Sequence, residues 1–196
     1  PLQGRPYPAT TPGLAGSGGG AAWGGGGVYY DYNGTAAVVV LAVDAAGDEI
    51  GRVAVGDAAR YHPGGMGFDG TALWIASAEY VPNSSATVYR MEPGGQPERA
   101  FDVDDHVGAI ARCGSDGDLV GWSWGSRRFY RWSVDGRLLA AKVNPGFFVD
   151  HQDCQWLDSG HLLCGGVAEV ALAAGPGWLG GLGLLNAADL VMEREV

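Results

Sequence analysis

Three of the four histidines, His62, His106 and His151, recur at intervals of 44 and 45 residues. Each stands in a short polar or glycine-rich stretch: YHPGGMGF (61–68), DDHVGAI (104–110) and DHQDC (150–154). An imidazole titrates near neutral pH, so rings set beside Asp105, Asp150 and Asp153 could exchange protons as acid and base or hold a divalent metal. With carboxylates and an amide for neighbours, a hard, oxygen-ligated ion such as Ca2+ suits the set better than zinc. No HExxH or CxxC spacing marks a zinc site. The competing reading is structural, with each ring bonding backbone or an adjacent carboxylate where one repeat meets the next. The residues alone leave both readings open.

Other polar positions fall on the same side of the repeat. Glu79 and Glu169 are 90 residues apart, two repeats, and are expected to be equivalent; Asn83 follows in the loop after Glu79. Arg127 and Arg128 follow Trp124, Gly125 and Ser126, where a guanidinium fork could hold an anion against an aromatic ring, although ion pairing with the abundant acids is the favoured reading. The segment WGSRRF lacks the GxSxG elbow of a serine nucleophile.

These residues need a scaffold that brings distant loops together, and the repeat supplies one. SGGGAAW (17–23) overlies HPGGMGF (62–68), so the period has four copies, 17–61, 62–105, 106–150 and 151–196, after a Pro-rich lead-in at 1–16. Each copy carries four short strand-like runs separated by turn residues such as Asp69-Gly70 and Asp116-Gly117. Four strands in about 45 residues is the pattern of a β-propeller blade. The expected fold is therefore all-β, a β-propeller of four consecutive four-stranded blades, with first strands starting near residues 19, 64, 107 and 152. Four blades are few, and the four prolines near the N-terminus suit a closing strand poorly, so a larger ring of about six blades is expected.

Composition narrows the partners. A formal net charge of -10 and the absence of any basic cluster beyond Arg127 and Arg128 argue against nucleic acid and against anionic membranes. The longest apolar runs, such as AAVVVLAV (36–43), are of strand length and too short to span a bilayer as a helix. Thirty-five glycines without a G-X-Y period fit turns and close backbone approach. Of three cysteines, Cys154 and Cys164 could meet across a hairpin, but buried free thiols are the favoured reading. The chain begins at Pro1; a secreted or periplasmic location is one expectation, and the oligomeric state is not legible.

The ordered motifs YHPGGMGFDG, LWIASAEYVPNSSATVYR, VDDHVGAI, WGSRRFYRW and DHQDC, spanning residues 61–196, resemble a family of uncharacterised bacterial and fungal β-propeller-like proteins. The resemblance implies a propeller-like fold in a longer chain and no established activity. His62, Asp105, His106, Asp150 and Asp153 lie close to that family's pattern, whereas an aromatic residue often stands where His151 does.

The function expected from these readings is binding, with hydrolysis as a further step, of a small polar molecule on the loop-rich face. The candidate residues are His62, Glu79, Asn83, Asp105, His106, Arg127, Arg128, Asp150, His151, Asp153 and Glu169. The alternative is a non-enzymatic protein-interaction scaffold.

Overall fold

The computed structural model describes residues 18–24, 27–33, 38–113, 117–146, 148–157, 160–173 and 175–196, with side chains from Val38 onward. The Pro-rich lead-in and the turn residues Asp116 and Ser159 lie outside the described residues. The described chain is all-β. A first unit comprises β1 (Gly18–Gly24), β2 (Gly27–Asn33), β3 (Val38–Val43) and β4 (Glu49–Val55). A second comprises β5 (His62–Phe68), β6 (Leu73–Ala78), β7 (Ala86–Met91) and β8 (Glu98–Val103). The third holds β9 (Val107–Cys113), β10 (Asp118–Ser123), β11 (Arg128–Trp132) and β12 (Leu138–Val143), with a 3-10 turn at Trp124–Ser126. The fourth holds β13 (Asp150–Leu157), β14 (His161–Leu172), β15 (Gly175–Asn186) and β16 (Val191–Glu195). Among the described residues no helix is long and apolar enough to cross a membrane.

Within each unit successive strands pair antiparallel, and the turns carry their own chemistry. Asp69 Oδ1 accepts the N–H groups of Thr71 and Ala72, while Gly70 takes the left-handed φ of +92° that the reversal between β5 and β6 demands. Asp44 caps the turn between β3 and β4 in the same way, accepting from Ala46 and Asp48.

Strand alternation distributes the core between successive units. On β6, Leu73 and Ile75 turn toward Val38, Val40 and Val55 of the first unit, whereas Trp74, Ala76 and Ala78 turn toward Val107, Ile110 and Leu119 of the third. On β10 the odd and even positions divide again: Leu119 faces back, while Val120 and Trp122 face Cys154, Leu162 and Leu185 of the fourth unit. The middle sheet is thus apolar on both faces. Cys154 and Cys164, opposite one another in β13 and β14, are joined by a disulfide rather than buried as free thiols. Cys113 is the free thiol of the same core, its pKa pushed up to about 12 by burial.

The expectation of four discrete four-stranded propeller blades is overturned by the pairing. The sheets contain four, eight and four strands, and the eight-stranded one runs β12-β11-β10-β9-β5-β6-β7-β8 as a continuous curled sheet. Its junction is a parallel pairing of β5 with β9 at Gly65 and Ala109. The cause lies in the Gly64-Gly65 pair. A Cβ at Gly64 would stand 2.5 Å from the Val107 carbonyl oxygen, and one at Gly65 would stand 3.0 Å from the Ala109 Cβ, so glycine lets β5 and β9 close to ladder distance. The ring of about six blades falls with the blades themselves.

Candidate functional site

The first strands β1, β5, β9 and β13 pack against one another, which brings the starts of three units to one place. There His62, His106 and Asp150 line a cavity of about 130 Å3 together with Tyr80, Gly108, Trp124, Gly125 and Gln152. His62 is the first residue of β5 and Asp150 the first of β13; His106 immediately precedes β9.

Aromatic rings dominate one wall. The His62 imidazole stacks on Tyr80, which follows β6, with centroids 4.3 Å apart, and lies 5.9 Å from Trp124 and 5.2 Å from His106. Trp124 in turn stands edge-on to His106 at 4.7 Å. Burial, reinforced by the neighbouring His106, lowers the His62 pKa to about 4, so this ring is neutral at pH 7. Its Nδ1 is buried without a hydrogen-bond partner among the described residues.

His106 is held differently. It is 1 % exposed, and its Nδ1 lies 2.7 Å from the Glu79 carbonyl oxygen, to which it donates. That bond places the proton on Nδ1 and leaves Nε2 as an acceptor in the neutral ring. Burial lowers the His106 pKa, against the opposing pull of the Glu79 carbonyl and the Asp105 charge. Burial raises the pKa of Asp150, offset by hydrogen bonds from Ser126 and Gln152 and by the charge of Arg127. Gly125, at φ +69°, and Ser126, at φ +53°, make the sharp turn that brings Trp124 and the Ser126 hydroxyl to this wall.

The remaining predicted positions serve other tasks. Glu79 accepts a hydrogen bond from Ser85 Oγ at 2.6 Å, which braces the loop carrying Tyr80, and Asn83 occupies the left-handed corner of that loop. Asp105 accepts from its neighbour's His106 N–H and from the Tyr130 hydroxyl at 2.5 Å. Arg127 and Arg128 are exposed and do not line the cavity; the Arg127 charge acts on Asp150, and the Arg128 N–H donates to Ser123 Oγ. The Asp153 carboxylate lies over the Gly65 backbone, and its Oδ2 accepts from Gln155.

His151 lies away from the cavity, so the structure does not assemble a ring of three histidines. It is 1 % exposed and its Nε2 meets Glu195 of β16 at 3.1 Å, while its backbone bonds Ser126 Oγ and Trp122 Nε1. Burial lowers its pKa, with the Glu195 contact acting in the opposite direction. Glu169 is also separate from Glu79. It sits inside the 12-residue β14, opposite Trp178 on an extension of β14 and β15, rather than in a loop. Among the described residues no group of three or more His, Cys, Asp or Glu side chains is placed to hold a metal ion.

Sequence reasoning omitted Tyr80 from the site. The available signal was its place beside Glu79, in a loop of turn-forming residues where a large aromatic ring has no obvious core to enter.

Among the described residues, an all-β repeat protein with an aromatic-lined cavity at the strand starts is what fold and site together define. The chain belongs to the family described as a family of unknown function (DUF6454), whose model matches residues 28–194. The curated proteins include no match to the chain. Among solved structures it is similar to a protein of unknown function from Bacteroides caccae, at 14 % identity and a TM-score of 0.60, covering 97 % of this chain and 63 % of that one. It is similar to glutaminyl cyclase of Myxococcus xanthus at 12 % identity and a TM-score of 0.57, covering 90 % and 68 %. A more distant likeness is to regucalcin, a calcium-binding protein of Agrobacterium tumefaciens, at 18 % identity and a TM-score of 0.50, covering 71 % and 49 %. The chain thus spans between about half and two thirds of these proteins, and the likeness is one of fold.

Proposed function

We propose that the protein binds a small polar molecule in the cavity between His62, Tyr80, His106, Trp124, Asp150 and Gln152. The observation that carries this reading is the buried, unpartnered Nδ1 of His62 beside that cavity. A buried polar atom without a partner costs about 1–3 kcal/mol, and a ligand group that bonds it recovers the cost. Hydrolysis of the bound molecule is a further step for which His106 Nε2, as a proton acceptor, is suited. A cation such as Ca2+ would find the Asp150 carboxylate and the Gln152 amide oxygen here. These are fewer than the roughly six to eight oxygens Ca2+ takes, so the bound molecule or water would complete the shell. The Cys154–Cys164 disulfide supports a secreted or periplasmic location, where such bonds persist.

The test is thermal unfolding of the wild type and of Trp124→Ala across a library of small polar compounds. A ligand at about 100 times its Kd adds about 2.7 kcal/mol to wild-type stability and none to the variant. A library that shifts neither protein, or both equally, removes the reading.

The scaffold alternative rests on a separate observation. β14 and β15 run past their neighbours as a two-stranded extension bearing Leu172, Trp178 and Leu179, all exposed, with Trp178 at 67 %.

A further inference from the structure

We infer that the molecule taken by this cavity is a neutral, polyhydroxylated ring of monosaccharide size, a refinement that rests on the small-molecule reading above. The residues lining the cavity bring acceptors: the Asp150 carboxylate, the Gln152 side-chain oxygen and one acceptor nitrogen on each neutral imidazole, His62 and His106. The Gln152 amide N–H is already directed at the Asp150 carbonyl, and the His106 Nδ1–H at that of Glu79. A ligand that satisfies such a set must bring donors, and several hydroxyls on one small frame do so.

Charge separates this ligand from its competitors. Among the described residues no Lys or Arg lines the cavity, so a carboxylate or phosphate would meet Asp150 with no cationic side chain in contact. An organic cation meets a single carboxylate, already engaged by hydrogen bonds from Ser126 and Gln152, between two imidazoles driven toward the neutral form. A neutral ligand avoids both penalties.

Shape agrees with charge. Tyr80, 52 % exposed, and Trp124 offer ring surfaces against which the C–H face of a saturated six-membered ring packs, while its hydroxyl edge reaches Asp150, Gln152 and His62. The cavity of about 130 Å3 is open and holds one such ring with part of it in solvent. With about 12 non-hydrogen atoms, such a ligand is expected to bind with a Kd on the order of 0.1–1 mM.

The experiment is a saturation-transfer NMR and tryptophan-fluorescence titration of the protein with three probe sets: neutral hexopyranoses and pentopyranoses, choline and ethanolammonium, and acetate and gluconate. Saturable binding is expected from at least one neutral sugar and from neither ionic set. Tyr80→Ala should weaken that binding at least 10-fold, and His62→Phe, which keeps the ring and removes the nitrogens, about 5- to 10-fold. Both variants are checked for an unchanged circular dichroism spectrum, and Tyr80→Leu, which keeps bulk and removes the aromatic face, takes the place of Tyr80→Ala if that variant fails to fold. Binding of an ionic set without any sugar overturns the neutral-ring inference and leaves the small-molecule reading standing. Sugar binding indifferent to Tyr80 and His62 overturns the placement, and binding of none of the three sets overturns both.

Discussion

The imidazole of His62 and the phenol of Tyr80 lie face to face, 13° from parallel, joining the first residue of β5 to the loop beyond β6. Trp124 reaches the same stack from the next unit, so the aromatic wall is shared between two repeats rather than built within one. This stack keeps the His62 ring out of water and sets how it titrates.

Stability should fall on mild acidification. Burial first, and the neighbouring His106 second, hold the folded His62 pKa at about 4, below the ordinary 6.5. The unfolded chain therefore binds this proton more readily than the folded protein. The contribution is intact above about pH 6.5 and is lost as pH falls toward about 4, for a total of at most about 3 kcal/mol. Urea midpoints measured between pH 7.5 and 4 should show a slope that His62→Phe flattens; an identical slope in the variant would assign it elsewhere.

His106→Ala should destabilise the fold by about 1–3 kcal/mol, because it leaves a hole beside Trp124 and removes one of the hydrogen bonds to the Glu79 carbonyl, which keeps that of the Val81 N–H. His161→Ala, which removes a surface contact with Glu193, should cost under about 1 kcal/mol. Chemical denaturation of the two variants side by side decides it, and equal losses would contradict the buried role of His106.

Gly64→Ala should cost more than about 2 kcal/mol. Its Cβ would press on the backbone of Val107 and Gly108 and on Ala76, and neither strand can retreat without losing its pairing. Gly51→Ala, where a Cβ meets nothing within 4 Å, is the matched control. Amide exchange should quicken in β5 and β9 of the first variant only.

Reduction should loosen the fourth unit. The Cys154–Cys164 bond closes a loop with a sequence separation of 10, for which the chain-entropy estimate is about 2–3 kcal/mol. Thermal unfolding with and without reductant, repeated on the Cys154→Ala/Cys164→Ala protein, should show a reductant-dependent fall in Tm for the wild type alone.

Much of the strand pattern was legible because turn residues punctuate it. First strands expected near 19, 64, 107 and 152 begin at Gly18, His62, Val107 and Asp150. The merging of the two middle units was not legible, since it depends on how closely two backbones approach at Gly64 and Gly65, a three-dimensional fact. The three-histidine alignment took His151, although Asp150 also stood among the expected positions. Aligning histidine with histidine pairs His106 with His151, yet a constant step of 44 from His62 through His106 arrives at Asp150, which does line the cavity. Successive strand residues point to opposite faces, so that single step sends His151 into the fourth unit instead.

The sharing of apolar faces between neighbouring units also has a bearing on time. Hairpins form in about 1–10 μs, whereas a ribosome adds about 5–20 residues per second, so each set of four strands can pair seconds before the next set exists. During that interval the side of β6 and β7 that carries Trp74, Ala76 and Val88 has nothing to cover it, because its cover, Val107, Ile110 and Leu119, has yet to emerge. The nascent chain passes through this condition at each internal boundary, and its hazard during synthesis is a recurring bare sheet face, closed only by the arrival of the strands that follow.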